Sequence, residues 1–165
     1  MKRKIIYTII TVMWLVIIFI FSSMNTEESN KRSKETIKYT VEKTVNVSEN
    51  IGNIEIKPTQ NQVNKTVNKL NVPLRKCAHA TEYAILAILL ILTINSYTSK
   101  KYAIKKVILV IMVCFIYAIT DEYHQSFVAG RTSRFTDCLI DVAGSIIICS
   151  IYIIMSKFRR IQNDW

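Results

Sequence analysis

Four long apolar blocks constrain the fold of this chain more than any other feature of its sequence. A helix needs about 20 predominantly apolar residues to cross a bilayer, and each block approaches that length. Backbone groups inside lipid must be paired internally, so the blocks are predicted to be helices. The predicted spans are Ile5–Ser23, Leu74–Ile94, Lys106–Thr120 and Asp137–Ser156. The sequence therefore predicts an all-α bundle of four transmembrane helices, in a single domain over residues 1–165.

The first apolar block has features of two kinds of N-terminal segment. The basic start MKRK suits a secretory signal peptide, but the apolar run that follows is longer than a usual signal-peptide core. The stretch FIFSSMN also lacks a clean A-x-A cleavage site. An uncleaved membrane anchor is therefore the favoured interpretation.

Basic residues flank the spans asymmetrically, and such residues concentrate on the cytoplasmic side of a membrane. They precede span one, fill the link between spans two and three, and follow span four: Lys2, Arg3, Lys4, Lys100, Lys101, Lys105, Lys106, Lys157, Arg159 and Arg160. Residues 24–73 carry eight further Lys or Arg, but glutamates dilute them and long loops have less weight in this rule. We therefore expect a multi-pass protein of the cell membrane with both termini cytoplasmic and residues 24–73 outside.

The polar segment between spans one and two contains two apolar patterns. From 37 to 47 the apolar residues partly alternate, as in a strand, but Ile37, Val41 and Val45 are also four apart, as in a helix. The pattern alone does not choose between them. A clearer helical spacing follows at Val63, Val67, Leu70 and Leu74. This spacing predicts a short amphipathic helix lying on the outer surface and leading into span two.

The four cysteines carry little functional signal. No pair has C-x-x-C spacing, so neither a zinc knuckle nor a redox motif is indicated. The favoured interpretation is that Cys77, Cys114, Cys138 and Cys149 are small apolar packing residues. A disulfide between Cys77 and Cys138 is the alternative, because both are expected near the outer face.

Ionisable residues occur at the start of span two, where they are costly. The stretch VPLRKCAHATEY places Arg75, His79 and Glu82 at positions i, i+4 and i+7, on one stripe of a helix. Anchoring at the membrane interface explains Arg75 and Lys76. His79 and Glu82 lie deeper, where ionisable groups are rare and mark functional sites.

A second charged group ends span three and begins span four. Asp137 and Asp141 lie one helical turn apart, and Gly144 on the same face permits close approach of another helix. Asp137 can be explained as a cap at the N-terminus of the helix. Asp141 lies one turn deeper, where capping does not explain it. Negative charge at a helix C-terminus is unfavourable by some tenths of a kcal/mol, which indicates a specific role for Asp121 and Glu122.

The two charged groups meet at the outer end of a four-span bundle. The candidate catalytic residues are His79, Glu82, Asp121, Glu122, His124, Asp137 and Asp141. The candidate ligand-binding residues are Arg75, Lys76, Gln125, Arg131 and Arg134. A purely structural explanation is also consistent with these residues, because salt bridges between the arginines and the carboxylates would lock the helices together.

Three blocks of the sequence resemble the VanZ-like family: FSS at the end of span one, RKCAHATEYAILAILL, and DEYHQSFVAGRTSRFTDCLIDVAG. They follow that family's R-K-x-A-H-x-x-E-Y signature, its D-E-x-H-Q with a downstream G-R, and its D-x-x-x-D before a glycine. Met24, Ala80 and Ala129 differ from residues common in the family, but no charged position is affected. The resemblance implies an integral membrane protein in which residues 24–73 are helical. Its namesake is associated with low-level resistance to teicoplanin.

Three functional hypotheses follow. The first is binding or remodelling of an anionic envelope lipid or lipid-linked cell-wall precursor, since helix N-termini and arginines attract phosphate. The second is a membrane-embedded enzyme acting on a lipid-linked phosphate through a metal or acid–base chemistry, although no HExxH motif is present. The third is a structural bundle whose ion pairs only specify packing. The sequence specifies no cofactor. The expected partners are a membrane lipid and, for so small a bundle, a second copy, whereas nucleic acid is not expected.

Overall fold

The computed structural model describes residues 2–24, 26–52, 60–98, 102–128, 130–131 and 134–163. These residues form the helices α1 Lys2–Ser22, α2 Thr26–Gly52, α3 Gln60–Tyr97, α4 Ala103–Gln125 and α5 Phe135–Asn163. The described residues contain no strand, so the predicted all-α fold is confirmed. Residues 53–59 of the predicted outer segment, and Lys100 and Lys101 of the basic clusters, lie outside the described residues.

Within this part of the chain, α1, α3, α4 and α5 are long and apolar enough to cross a membrane. Apolar side chains such as Ile9, Ile108 and Ile147 are about half exposed on their outward faces, as expected for helices that contact lipid rather than water. The prediction of a bundle with four membrane-spanning helices is confirmed. The helices extend beyond the predicted spans, since α4 continues past Thr120 to Gln125 and α5 begins at Phe135.

Helix α3 lies at the centre of the bundle and packs against each of the other four helices. It runs in the same direction as α5, because Lys76 contacts Asp137 near one end and Tyr152 bonds Asn95 near the other. Helix α4 runs in the opposite direction, since Lys106 near its start also bonds Asn95. Helix α1 runs in the same direction as α4, as its hydrogen bonds with α3 and α4 show. The ends of α1 and α4, the middle of α3 and the start of α5 therefore meet at one end of the bundle.

Helices α2 and α3 form a helical hairpin beside the bundle. Ile37 and Val41 of α2 pack against Val63 and Val67 of α3, which resolves the strand–helix ambiguity in favour of a helix. The predicted surface helix and span two are a single helix that runs through Pro73. The first half of the predicted apolar stripe, Val63 and Val67, is buried against α2, whereas Leu70 and Leu74 are exposed.

The cysteines are all free, so the alternative of a disulfide between Cys77 and Cys138 is not realised. Cys114, Cys138 and Cys149 are buried, as expected of packing residues. The Cys138 thiol donates to the carbonyl oxygen of Ala118 at 3.3 Å. This contact ties α5 to α4 just below the charged end of the bundle.

The basic clusters at the starts of α1 and α4 and at the end of α5 lie at the opposite end of the bundle. Lys106 departs from its predicted place at the membrane surface, because it is only 4% exposed. Its ammonium group donates to Asn95 Oδ1 at 2.6 Å. Lys106 is therefore an interior polar residue rather than a surface anchor.

Candidate ligand-binding cavity

A cavity of about 290 Å³ opens where α3, the end of α4 and the start of α5 meet. It is lined by Val72, Arg75, Lys76, His79, Glu122, Gln125, Gly130, Arg131, Arg134, Asp137, Ile140 and Asp141. Most of the candidate residues from the sequence are in this set. The structure therefore brings the two charged groups of the chain together around one space.

Helix α3 contributes the stripe that begins at Arg75. Lys76 Nζ lies 2.8 Å from Asp137 Oδ1, which joins α3 to the first turn of α5. One turn further along α3, His79 Nδ1 lies 3.2 Å from Glu82 Oε2. His79 lines the cavity, whereas Glu82 lies behind it, outside the lining set.

The loop between α4 and α5 carries Arg131 into the cavity. Gly130 has a φ of 75°, a left-handed conformation that glycine adopts without steric cost. Glu122 accepts a hydrogen bond from the backbone N–H of Arg134, just before α5 begins. The carboxylate that is unfavourable at the end of α4 thus fixes the loop and the start of the next helix, a role that charge pattern alone did not identify.

The arginines of the cavity are not matched to carboxylates. Among the described residues, Arg75, Arg131 and Arg134 form no ion pair; the pairs of this region are Lys76–Asp137 and His79–Glu82. The network of arginine salt bridges required by the structural explanation is therefore not formed there.

The guanidinium groups of Arg75 and Arg131 are only partly satisfied. Nη1 of Arg75 donates to Asn30 Oδ1 at 3.0 Å, but the buried Nε atoms of Arg75 and Arg131 have no hydrogen-bond partner within the described ranges. Burial lowers the pKa of Arg131 and the nearby charge of Arg75 lowers it further, while the carboxylates of Asp121, Glu122 and Glu82 oppose this change. A pair of cations in this position would be stabilised by a bound anion.

Three candidate residues lie outside the cavity lining. Asp121 is buried and accepts a hydrogen bond from Gln125 Nε2 at 3.0 Å. His124 faces α1, where its ring packs on Phe19 with a centroid distance of 4.5 Å. The structure therefore separates His124 from His79, and Glu82 contacts the cavity only through His79.

Sequence reasoning missed two residues that support the site. Asn30 of α2 accepts hydrogen bonds from Arg75 and from Asn71. Trp14 of α1 donates its indole N–H to the backbone oxygen of Glu82 at 3.0 Å. Both contacts join residues far apart in the sequence, and no local spacing signals them.

No group of three or more His, Cys, Asp or Glu side chains in the described part of the chain is arranged to hold a metal ion.

A model of the VanZ/LLP1 family matches residues 6–156. This range includes α3 and α4 completely, most of α1 and α5, and every residue of the cavity lining. No curated protein and no solved structure matches the chain significantly.

Proposed function

The chain belongs to the VanZ/LLP1 family, and we propose that it binds the phosphate headgroup of an anionic envelope lipid, or of a lipid-linked cell-wall precursor, in this cavity. One observation carries the proposal. Arg75, Arg131 and Arg134 converge on the cavity without an ion-pair partner among the described residues. The positive charges of these three side chains are suited to binding a negatively charged phosphate group.

The chemistry of the arginines favours phosphate over other anions. A guanidinium group presents a planar fork of N–H donors that binds phosphate in a bidentate manner. An anion between Arg75 and Arg131 would offset the repulsion between the two charges. The start of α5 also lies at the cavity, and a helix N-terminus attracts negative charge.

The size and the rim of the cavity favour a lipid over a free small molecule. Its volume of about 290 Å³ is just below the range of roughly 300–1,000 Å³ that encloses a drug-sized ligand. The space is therefore suited to a headgroup. Val72 and Ile140 give the cavity apolar walls, and Leu139, which precedes Ile140, is exposed, so a hydrocarbon chain can remain in the bilayer while its headgroup enters.

The direction of the bundle favours a lipid of the outer leaflet. The basic clusters lie at the end opposite to the cavity, and the positive-inside rule assigns that end to the cytoplasm. Both termini are then cytoplasmic and the cavity faces outwards, where envelope lipids and their precursors are exposed. Sequestration or remodelling of such a lipid is a physical route to the low-level teicoplanin resistance associated with the family's namesake.

Binding to purified protein in dodecyl maltoside tests the proposal, with short-chain phosphatidic acid as the probe and phosphatidylcholine as the neutral comparison. Arg131→Gln should weaken the affinity for phosphatidic acid at least tenfold, equivalent to about 1.4 kcal/mol. Arg131→Lys should also weaken it, because lysine cannot bind phosphate in a bidentate manner.

Arg32→Gln is the matched control, because Arg32 is exposed on α2 and pairs with Glu28 at 2.8 Å, away from the cavity. Equal affinity of all variants for phosphatidic acid would contradict the proposal. In cells, the wild-type chain should raise the teicoplanin concentration that inhibits growth, and Arg131→Gln at equal membrane abundance should not. Loss of resistance only through loss of the protein from the membrane would instead support the structural hypothesis.

A further inference from the structure

One imidazole faces the cavity with a carboxylate behind it. The Nδ1 atom of His79 contacts Glu82, which lies outside the lining. A carboxylate in this position fixes the orientation and the tautomer of the ring and leaves Nε2 able to accept a proton. No described residue forms a hydrogen bond with Nε2 of His79, so this atom is available to a molecule in the cavity.

Charged groups from the other elements surround this imidazole. Asp141 of α5 lines the same cavity and is 4% exposed. The charges of Asp141 and Arg131 both act on His79. His79 lines the same cavity as Arg75, Arg131 and Arg134. The cavity therefore combines a proton acceptor with donors that stabilise negative charge on phosphate oxygens, which are two requirements of phosphate hydrolysis.

We infer that the protein hydrolyses the terminal phosphate of a membrane lipid diphosphate, with His79 as the general base and Glu82 as its positioning residue. The inference rests on the proposed binding of a lipid headgroup. The oxygen of a water molecule bonds to the terminal phosphorus while the bond from that phosphorus to the bridging oxygen breaks. The bridging oxygen keeps the electron pair and leaves with the lipid monophosphate. Nε2 of His79 takes the water proton and releases it to bulk water, so the products are lipid monophosphate, inorganic phosphate and one proton.

The choice of a diphosphate follows from the chemistry of the leaving group. A lipid alkoxide would have to be protonated as it leaves, which requires a proton donor besides the base. Lys76 is engaged by Asp137, so the buried Asp141 would have to supply that proton. A phosphate leaving group is stable as an anion and needs no such donor. The arginines can bind both phosphates and stabilise the charge that develops on them.

Phosphate release from farnesyl diphosphate by the purified full chain in detergent, in buffer containing Mg²⁺, tests the inference. The wild type should release phosphate. His79→Gln should lower the rate at least 100-fold, the range expected for loss of a general base, while the Kd for farnesyl diphosphate stays within threefold.

His124→Gln removes the other histidine, which packs on Phe19 away from the cavity, and should leave the rate unchanged. Added imidazole should restore part of the activity of His79→Ala, an effect that a purely structural histidine would not show.

Glu82 requires a separate readout because it acts through His79. Glu82→Gln should lower kcat about 10- to 100-fold while KM and the binding stoichiometry stay within twofold, and Glu82→Asp should recover part of the loss. Binding of farnesyl diphosphate by the wild type without phosphate release would overturn the hydrolysis and leave the binding function standing. A normal rate for His79→Gln would also overturn it. Failure of the wild type to bind either farnesyl diphosphate or phosphatidic acid would overturn both proposals.

Discussion

Gly144 of α5 lies directly against the backbone carbonyl of Ala80 in α3. This contact brings the backbones of two parallel-running helices together one residue beyond His79 and three residues beyond Asp141. The two side chains face the same cavity because no side chain separates the helices at this point. A small residue at a helix–helix contact is common in membranes, where close packing replaces the hydrophobic effect as the source of association.

Gly144→Ala should destabilise the protein by about 1–3 kcal/mol, the usual cost of adding a methyl group to a filled interior. A Cβ atom at this position would overlap Ala80 backbone atoms, which cannot rotate away as a flexible side chain can. Thermal unfolding in detergent measures the effect. Ala143→Val is the control, because Ala143 is exposed, and its unfolding temperature should stay near that of the wild type. Equal unfolding temperatures for Gly144→Ala and the wild type would contradict close contact between α3 and α5.

The orientation of the bundle is tested by cysteine labelling in a chain whose exposed Cys77 is replaced by serine. Thr44→Cys on α2 should react with a membrane-impermeant maleimide in intact cells, because the hairpin is expected outside. Tyr102→Cys, before α4, should react only after permeabilisation. Both positions are exposed. The reverse labelling pattern would mean that the cavity faces the cytoplasm.

Asn95 should be a strong determinant of stability at the other end of the bundle. Its Oδ1 atom accepts hydrogen bonds from Lys106 Nζ at 2.6 Å and from the Tyr152 hydroxyl at 3.1 Å. Asn95→Leu removes the acceptor of both donors and should cost at least about 1–3 kcal/mol, because one of the buried donors is charged. Tyr152→Phe should cost less, about 0.5–1.5 kcal/mol, because the contact with Lys106 remains. Urea or thermal unfolding in detergent compares the two, and an equal or larger loss for Tyr152→Phe would refute this ranking.

Asn30 should affect ligand affinity from outside the bundle. Asn30→Ala removes the acceptor that orients Arg75 and should weaken phosphatidic acid binding about 3- to 10-fold, equivalent to roughly 0.6–1.4 kcal/mol. Asn68→Ala, at an exposed position of α3, should bind normally. An unchanged affinity for Asn30→Ala would show that the hairpin does not contribute to the site.

The sequence predicted the parts of the site that depend on local spacing. Arg75 and His79 are four residues apart, as are Asp137 and Asp141, and both pairs line the cavity. His124 was grouped with them because it lies three residues after Asp121, but neither of these two residues lines the cavity. His124 lies two residues from Glu122, and residues two apart point to different sides of a helix.

The remaining features depend on contacts that no local pattern encodes. The support of Arg75 by Asn30 joins residues 45 positions apart. Helix α3 continues through Pro73, whereas a proline by itself disfavours the helical conformation of the residue before it. Tertiary contacts determine these two features, and the local sequence alone is compatible with other conformations.

The unbroken length of α3 connects the cavity mechanically to the hairpin. At about 1.5 Å per residue, a helix of 38 residues is about 57 Å long, nearly twice the roughly 30 Å of a bilayer's hydrocarbon core. The part of α3 that packs on α2 is therefore continuous with the part that carries Arg75 and His79. A tilt of the hairpin that is transmitted along α3 would move these two residues relative to Asp141 and change the width of the cavity.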